Sequence, residues 1–456
     1  MNYVDLTETR AYHALVAYYQ KKPELKKLLT PEAVEKYRMA AGKELSFSYA
    51  GKGITQELLG LCQNLVNEQE CIAKYRDLLA SGIANKGEKE KFYAFADQVR
   101  FGAVKSSTGR AYNTVVQIGI GGFGLGPKAM YEGLLGYCQA EKVSPLLTAY
   151  FISNIDPDAP QAVLDSINPE TTLFILVTKS GTTLETLTNY AFVKEYIHTK
   201  NPAVLVEEQT VVVTAAGSPL DNRDQFLEVF HIDDYVGGRF SPTSACAGVL
   251  ISLTFGKEIF GRFLEGAHCS DLLALNGRVE DNAALMDAIL EVIDVNIRHI
   301  PVEAVIPYSE ALGPFALHLQ QLYMESNGKS APYPTWPIIF GTPGTDCQHS
   351  FFQQLHQGSL EIPVEFIGFR HSQRGYDVAY KGSTSLQKLN ANLAAQITAF
   401  ADGRTSADLN KAFPGNRATT LLYGNRLTPE TLGSLFAHFE NKIMFQGFVW
   451  NINSYE

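Results

Sequence analysis

No run of 18 or more apolar residues occurs anywhere in the 456-residue chain, so no helix able to cross a bilayer is expected. The amino terminus, Met1-Asn2-Tyr3-Val4-Asp5, lacks the basic-then-apolar pattern of a secretory leader, and a cytoplasmic location is expected. Cysteine is sparse: Cys62, Cys71, Cys138, Cys246, Cys269 and Cys347 form no C-x-x-C pair. Neither a zinc site nor a disulfide framework is signalled, and reduced, mostly buried thiols are the expectation. A basic stripe is missing too. With 38 Lys and Arg against 48 Asp and Glu, the net charge of −10 argues against nucleic acid as a partner. An acidic protein with an anionic substrate must gather positive potential locally.

What the chain does have is apolar material, 45% of its residues against 19% charged, enough for two large domains or about three ordinary ones. Residues 1–100 carry helical periodicity and charge clusters, as in Pro31–Tyr37 and Lys86–Lys91, with no chemical motif. From about Thr114 short apolar runs alternate with amphipathic stretches. Strands are expected at Thr114–Ile120, Leu147–Ser153, Leu173–Thr178 and Thr210–Ala215, with a helix over Thr183–Tyr196. The rhythm then repeats. A helix over Asp281–Arg298 precedes strands at Val302–Pro307, Pro337–Phe340, Ile362–Gly368 and Thr419–Tyr423. The expected class is α/β: a helical region over residues 1–100, a first doubly wound parallel-sheet subdomain over 101–285, and a second over 286–456 ending in a helical tail.

Five loops at strand or helix ends are able to carry chemistry. Gly119-Ile120-Gly121-Gly122-Phe123-Gly124 matches G-x-G-x-x-G, but the acid expected about 20 positions on is absent, since Asp156 comes much later. A nicotinamide dehydrogenase therefore rests on the glycines alone. Close backbone approach to another ligand, or a plain tight turn, are the alternatives. Thr178-Lys179-Ser180-Gly181-Thr182-Thr183 offers hydroxyls and a lysine at a helix start, the makings of a phosphate cradle. Simple capping needs only one hydroxyl. Val236-Gly237-Gly238-Arg239 sets a guanidinium beside a glycine pair, where it would stabilise charge forming on oxygen, unless it is merely a surface arginine. Glu325 lies in the last turn of a helix, where the dipole disfavours a carboxylate, so a general base competes with a solvated side chain. Last, His349 and His356 stand seven apart after a Gly-Thr-rich loop. They lack a third ligand at zinc spacing, so no metal is expected.

Taken in order, these loops resemble the glucose-6-phosphate isomerase (phosphoglucose isomerase) family. Met324-Glu325-Ser326-Asn327-Gly328-Lys329, Gln348-His349-Ser350-Phe351 and the tail Gln446-Gly447-Phe448-Val449-Trp450-Asn451-Ile452-Asn453-Ser454 carry the likeness, which runs from about Gly119 onward. The resemblance implies two sugar-isomerase (SIS-type) subdomains and interconversion of glucose 6-phosphate and fructose 6-phosphate through a cis-enediol(ate). It implies Glu325 as the proton-shuttling base, Arg239 as the stabiliser of the charged intermediate, and His349 as the ring-opening residue, reaching the site from the neighbouring subunit of a homodimer. Lys179, Ser180 and Thr183 fall on phosphate- and sugar-binding positions, with Thr178 where serine is usual. Gly122, Glu185 and Gln321 match further substrate positions. No metal, redox cofactor, nucleic acid or membrane partner is implied.

There are departures from the family pattern. Phe123 replaces a usual serine and Asp346 a usual asparagine. Beyond Glu456 the family pattern continues with a Gln-x-Gly-Val-x-Leu-Gly-Lys run whose last lysine takes part in ring opening. A sugar-phosphate-binding regulatory module of the same fold, weakly catalytic or not catalytic, is the competing expectation. It is favoured by Phe123 and disfavoured by the joint presence of Glu325, Arg239 and His349.

Overall fold

The computed structural model describes residues 4–21, 24–81, 86–335 and 337–456. Met1–Tyr3 of the leader pattern and the side chain of Lys86 lie outside the described set. Thirteen strands are labelled in chain order. They are β1 (Arg38–Gly42), β2 (Leu45–Ser48), β3 (Thr114–Ile118), β4 (Thr148–Ile152), β5 (Thr172–Val177), β6 (Thr210–Ala215) and β7 (Glu228–Ile232), followed by β8 (Val302–Pro307), β9 (Ile338–Phe340), β10 (Val364–His371), β11 (Ala379–Tyr380), β12 (Ser383–Thr384) and β13 (Thr419–Arg426). The helices used below are α1 (Gly122–Ala140), α2 (Leu184–Lys200), α3 (Ala245–Phe255), α4 (Ala283–Asn296), α5 (Gly313–Asn327), α6 (Phe352–Gln357) and α7 (Pro429–Trp450).

Two compact units emerge, one of residues 83–264 and one joining 1–82 to 265–456. In the 83–264 unit the sheet order is β4-β3-β5-β6-β7, every neighbour parallel. Strand β5 (Thr-Leu-Phe-Ile-Leu-Val) is buried throughout, as a strand covered by helices on both faces must be. Val116, Phe174, Leu176 and Val212 form its core with Tyr190, Val193 and Ile197 of α2. The chain reverses winding direction between β3 and β5. That switch point opens a crevice beyond the carboxyl ends of the two strands.

In the other unit β13, β10, β8 and β9 lie parallel in that order, again placing the first strand between the second and third. Here the N-terminal region supplies more than helices. Strand β2 pairs antiparallel with β13, and β1 with β2, extending the sheet at its edge. The core over one face gathers Ala304, Ile306, Phe352, Phe366 and Phe400.

Candidate active site

In the 83–264 unit, the loops after β3, β5 and β7 converge. Gly121 opens α1 with φ +60°, a conformation that costs glycine nothing. Gly122 is needed for a different reason. A Cβ there would lie 2.0 Å from the Gly238 carbonyl carbon and 2.4 Å from the Arg239 nitrogen, so only a glycine lets the two backbones touch. Gln117 of β3 locks the loop from beneath, its Nε2 donating to the Phe123 carbonyl at 2.7 Å.

Thr178, fully buried at the end of β5, shares a 2.8 Å hydrogen bond with the hydroxyl of Thr183. Thr183 occupies the N-cap position of α2, yet its side chain makes no cap bond. The hydroxyl-rich start is therefore not spent on capping. Ser180 is exposed and accepts from the Thr182 amide and hydroxyl at 3.2 and 2.9 Å, while Glu185 is half-buried in the first turn of α2. The Lys179 ammonium donates to the carbonyls of Asp234 (2.7 Å) and Val236 (3.3 Å), tying this loop to the one that carries Arg239. Arg239 is 4% exposed in a short 3-10 turn, its guanidinium 5.4 Å from the Phe240 ring. Gly122, Thr178, Lys179, Thr183 and Arg239 thus belong to one linked set of strand-end loops, with Lys179 and Arg239 as its cations.

In the other unit Glu325 lies exposed in the last turn of α5. Gln321, one turn earlier on the same face, donates to its carboxylate at 2.8 Å. His349 is also exposed, closing the short 3-10 helix Asp346–His349. Its own helix ends at Ser350, and His356 sits on α6, so the two histidines share no helix face. The approach to His349 is rigid. A Cβ at Gly341 would meet the Val305 carbonyl at 1.8 Å, one at Gly344 would meet the Tyr308 ring at 2.3 Å, and Gln348 donates to the Tyr308 hydroxyl at 2.9 Å. Burial pushes that phenol up to about 12, so it remains a neutral hydrogen-bonding group.

One further constellation drew no notice in the sequence. Asp287 and Glu291 on α4 face His438 and Lys442 on α7, with Glu303 of β8 and Glu365 of β10 beside them, all buried. Asp287, Glu365 and His438 bring ligand atoms within 4.8 Å of one another, the spacing of a metal site. The Lys442 ammonium, however, lies 3.1 Å from Asp287 and 3.0 Å from Glu365, so a tethered cation already occupies the place a metal would take. The two i,i+4 pairs are visible in the sequence, but nothing local in it pairs residues about 150 apart. Five of the thiols are buried and kept neutral: Cys62, Cys71, Cys138 and Cys347 are pushed up to about 12 and Cys246 to about 11 by burial.

Comparison with known proteins now bears on these loops. The family model for phosphoglucose isomerase matches residues 73–456. The chain belongs to the phosphoglucose isomerase family. It is similar to the glucose-6-phosphate isomerase of Treponema pallidum (strain Nichols), with 45% identity over 502 aligned positions covering 100% of this chain and 93% of that one. The corresponding protein of Chlamydia trachomatis serovar D is 41% identical, over 94% of this chain and 87% of its own. A crystal structure of a glucose-6-phosphate isomerase from Chlamydia trachomatis D/UW-3/Cx superposes with a TM-score of 0.92 at 38% identity, covering 99% of this chain and 93% of that chain. A Thermus thermophilus protein of 23% identity and TM-score 0.66, matched over 86% of this chain and 92% of its own, shares the fold. Membership in the phosphoglucose isomerase family makes the protein an enzyme with isomerase activity. No helix among the described residues is long and apolar enough to cross a membrane.

Proposed function

We propose that the protein interconverts glucose 6-phosphate and fructose 6-phosphate, with the Glu325 carboxylate carrying a proton between C2 and C1 through a cis-enediol(ate). The observation that carries this reading is the Gln321–Glu325 pair, a carboxylate oriented by an amide one turn away at the solvent-facing end of α5. Glu325 removes the C2 proton, the electron pair moves into a C1–C2 double bond, and the carbonyl oxygen gains charge. The same carboxylate then returns the proton to C1, while the O2 hydroxyl gives up its proton and O1 takes one, leaving a carbonyl at C2 and a hydroxyl at C1. A carbon acid this weak needs a cation near the oxygen as charge develops, which is the role of Arg239. The substrate is neither oxidised nor reduced overall, so the reading calls for no redox cofactor, and it invokes no metal.

Lys179 and the hydroxyls of Thr178, Ser180 and Thr183 hold the phosphate at the start of α2, where unpaired amides favour an anion. Gly122, Glu185 and Gln321 border the sugar, and His349 assists ring opening. In this reading the working form is a cytoplasmic homodimer, with His349 supplied to the site of the neighbouring subunit.

A coupled isomerase assay tests the proposal. Wild-type protein should turn over without added cofactor, and Glu325→Gln should lower kcat by about a hundred- to ten-thousandfold, the usual contribution of a positioned base. Tight binding of glucose 6-phosphate without turnover by the wild type would instead favour the sugar-phosphate-binding module, to which Phe123 points. Full activity in Glu325→Gln would remove that residue from the chemistry.

A further inference from the structure

The tail beyond residue 445 converges on one residue of the Glu325 helix. Asn327 ends α5, two positions after Glu325, and is 1% exposed. Its Nδ2 donates to Gln446 Oε1 at 3.0 Å and to the Ile443 carbonyl at 3.3 Å, both on α7. Its Oδ1 accepts from the Ser454 hydroxyl at 2.6 Å. Its main-chain carbonyl accepts from Thr335 Oγ1 at 2.5 Å and from the Lys329 amide at 2.7 Å. Both ends of this buried amide are thus engaged by the tail, while the carbonyl ties down the segment that follows the helix.

The tail is shaped to reach that amide. After α7 the chain reverses at Asn451, φ +55°, and the Ile452 amide donates back to the Gly447 carbonyl at 3.0 Å. The reversal carries Ser454 over Gly447, where a Cβ would lie 2.2 Å from the serine oxygen. Glycine at 447 is therefore the condition for Ser454 to approach Asn327. The same stretch holds the neighbouring segment through a second line of bonds. Trp450 Nε1 donates to Asn296 Oδ1 at 2.7 Å, Asn296 Nδ2 to the Pro334 carbonyl at 2.7 Å, and the Tyr333 hydroxyl to the Trp450 carbonyl at 3.2 Å.

A carboxylate in the final turn of a helix inherits its position from wherever that helix is fixed. Helix ends fray unless their groups are bound, and the dipole disfavours an acid there. We propose that Asn327, gripped by Gln446 and Ser454, is the positioning residue that holds the end of α5 and so keeps Glu325 in register with the substrate carbons. The inference rests on Glu325 being the base. It assigns the Gln446–Ser454 tail to that base rather than to the bulk of the core. Misplacing a reacting group by about 1 Å costs on the order of a hundredfold in rate.

The test uses the full chain with Ser454→Ala, which deletes one bond to Asn327, and Ser454→Thr, which keeps the hydroxyl. Ser454→Ala should lower kcat ten- to a hundredfold with KM within about twofold. It should slow release of a C2 deuteron from labelled substrate into water by the same factor, and leave the urea midpoint near wild type; Ser454→Thr should restore most of kcat. The proposal is overturned if folded Ser454→Ala keeps wild-type kcat and deuteron release, or if its loss of rate merely tracks loss of folded protein. Glu325→Gln separates the two readings. If that variant stays active, the base assignment fails whatever Ser454→Ala does. If it is dead while Ser454→Ala is fully active, only the positioning role fails.

Discussion

The two units wind their parallel strands in the same relative order, yet treat polar groups in opposite ways. In the 83–264 unit the buried residues are apolar or neutral, Gln117, Asn189 and Gln209 among them, with Arg239 the one charged exception among the described residues. Every residue of β5 and of α3 is buried, and the lysine, arginine and hydroxyls that matter stand in loops at strand ends. In the other unit six ionisable side chains meet in the middle of the core. Lys442 lies 2.6 Å from Glu291, 3.1 Å from Asp287, 3.0 Å from Glu365 and 3.6 Å from Glu303, and His438 is 3.0 Å from Asp287. Burial alone would raise Asp287, but Lys442 and His438 outweigh it and hold the carboxyl at about 2. Burial pushes Glu291 and Glu365 well up, so they hold their protons to higher pH than Asp287 does. One fold therefore tolerates two interiors, provided that a buried charge finds its counterion and the surplus acids stay neutral.

Removing the hub should break the comparison most visibly. Lys442→Met keeps length and apolar bulk but strands the Asp287 anion, and a buried ion pair missing one partner costs about 3–5 kcal/mol. Leu176→Met, a swap of similar size at a fully buried position in β5, should cost under about 1.5 kcal/mol. Trp450, 1% exposed, lies in the same unit as Lys442, so urea unfolding followed by its fluorescence reports the first loss directly. Equal costs for the two variants would show that the cluster is no more demanding than hydrocarbon.

The same contrast governs what was legible in the sequence. Apolar β-branched runs such as Thr210–Ala215 and Val302–Pro307 emerge as strands with the expected bounds, because burial on both faces leaves a continuous signal. The edge strands β4 and β9 also emerge, within the expected Leu147–Ser153 and Pro337–Phe340, but β7 and β1 were not foreseen. β7 (Glu-Val-Phe-His-Ile) carries a glutamate and a histidine among its apolar residues, and β1 (Arg-Met-Ala-Ala-Gly) and β2 sit in a stretch whose charges read as helical. Glu325 was legible as a carboxylate at the wrong end of a helix, and Arg239 by the glycines beside it. The packing of Gly122 against Gly238 was not, since it joins loops more than a hundred residues apart. Asn327 stands in the sequence only as one member of the Met324–Lys329 run, because its meaning lies in Gln446 and Ser454, which only the folded chain brings near.

A smaller effect sharpens the electrostatics of the cluster. Glu365 is raised in the folded chain by burial and then by Asp287, so the native state holds a proton that the unfolded chain releases above its ordinary value of 4.5. In that window the native state binds more protons, and its stability falls as pH rises, by up to about 1.4 kcal/mol per pH unit from this one group. Glu365→Gln imitates the protonated acid and cannot lose its proton. As pH rises above 4.5 the variant should gain on the wild type until Glu365 ionises in the folded chain, read as a widening gap between urea midpoints. Parallel midpoints across that range would mean that Glu365 is already ionised in the native state.

The least costly change belongs to the other unit, where polar groups have solvent and loops to fall back on. Thr178→Val removes the 2.8 Å bond to the Thr183 hydroxyl at the end of β5 while preserving side-chain shape. A neutral hydrogen bond is worth about 1 kcal/mol net, and here the loss is partly recovered, because the freed Thr183 hydroxyl is already at the N-cap of α2 and can turn to accept from its first amides. The stability change should therefore stay at or below about 1 kcal/mol. Capping, however, takes that hydroxyl and those amides away from the phosphate, so KM for glucose 6-phosphate should rise about threefold to tenfold with kcat nearly constant. Steady-state kinetics decides the matter. If kcat falls and KM stays fixed, the Thr178–Thr183 bond serves the proton-transfer step and not phosphate binding, and the division of labour between the strand-end loops and the Glu325 helix would have to be redrawn.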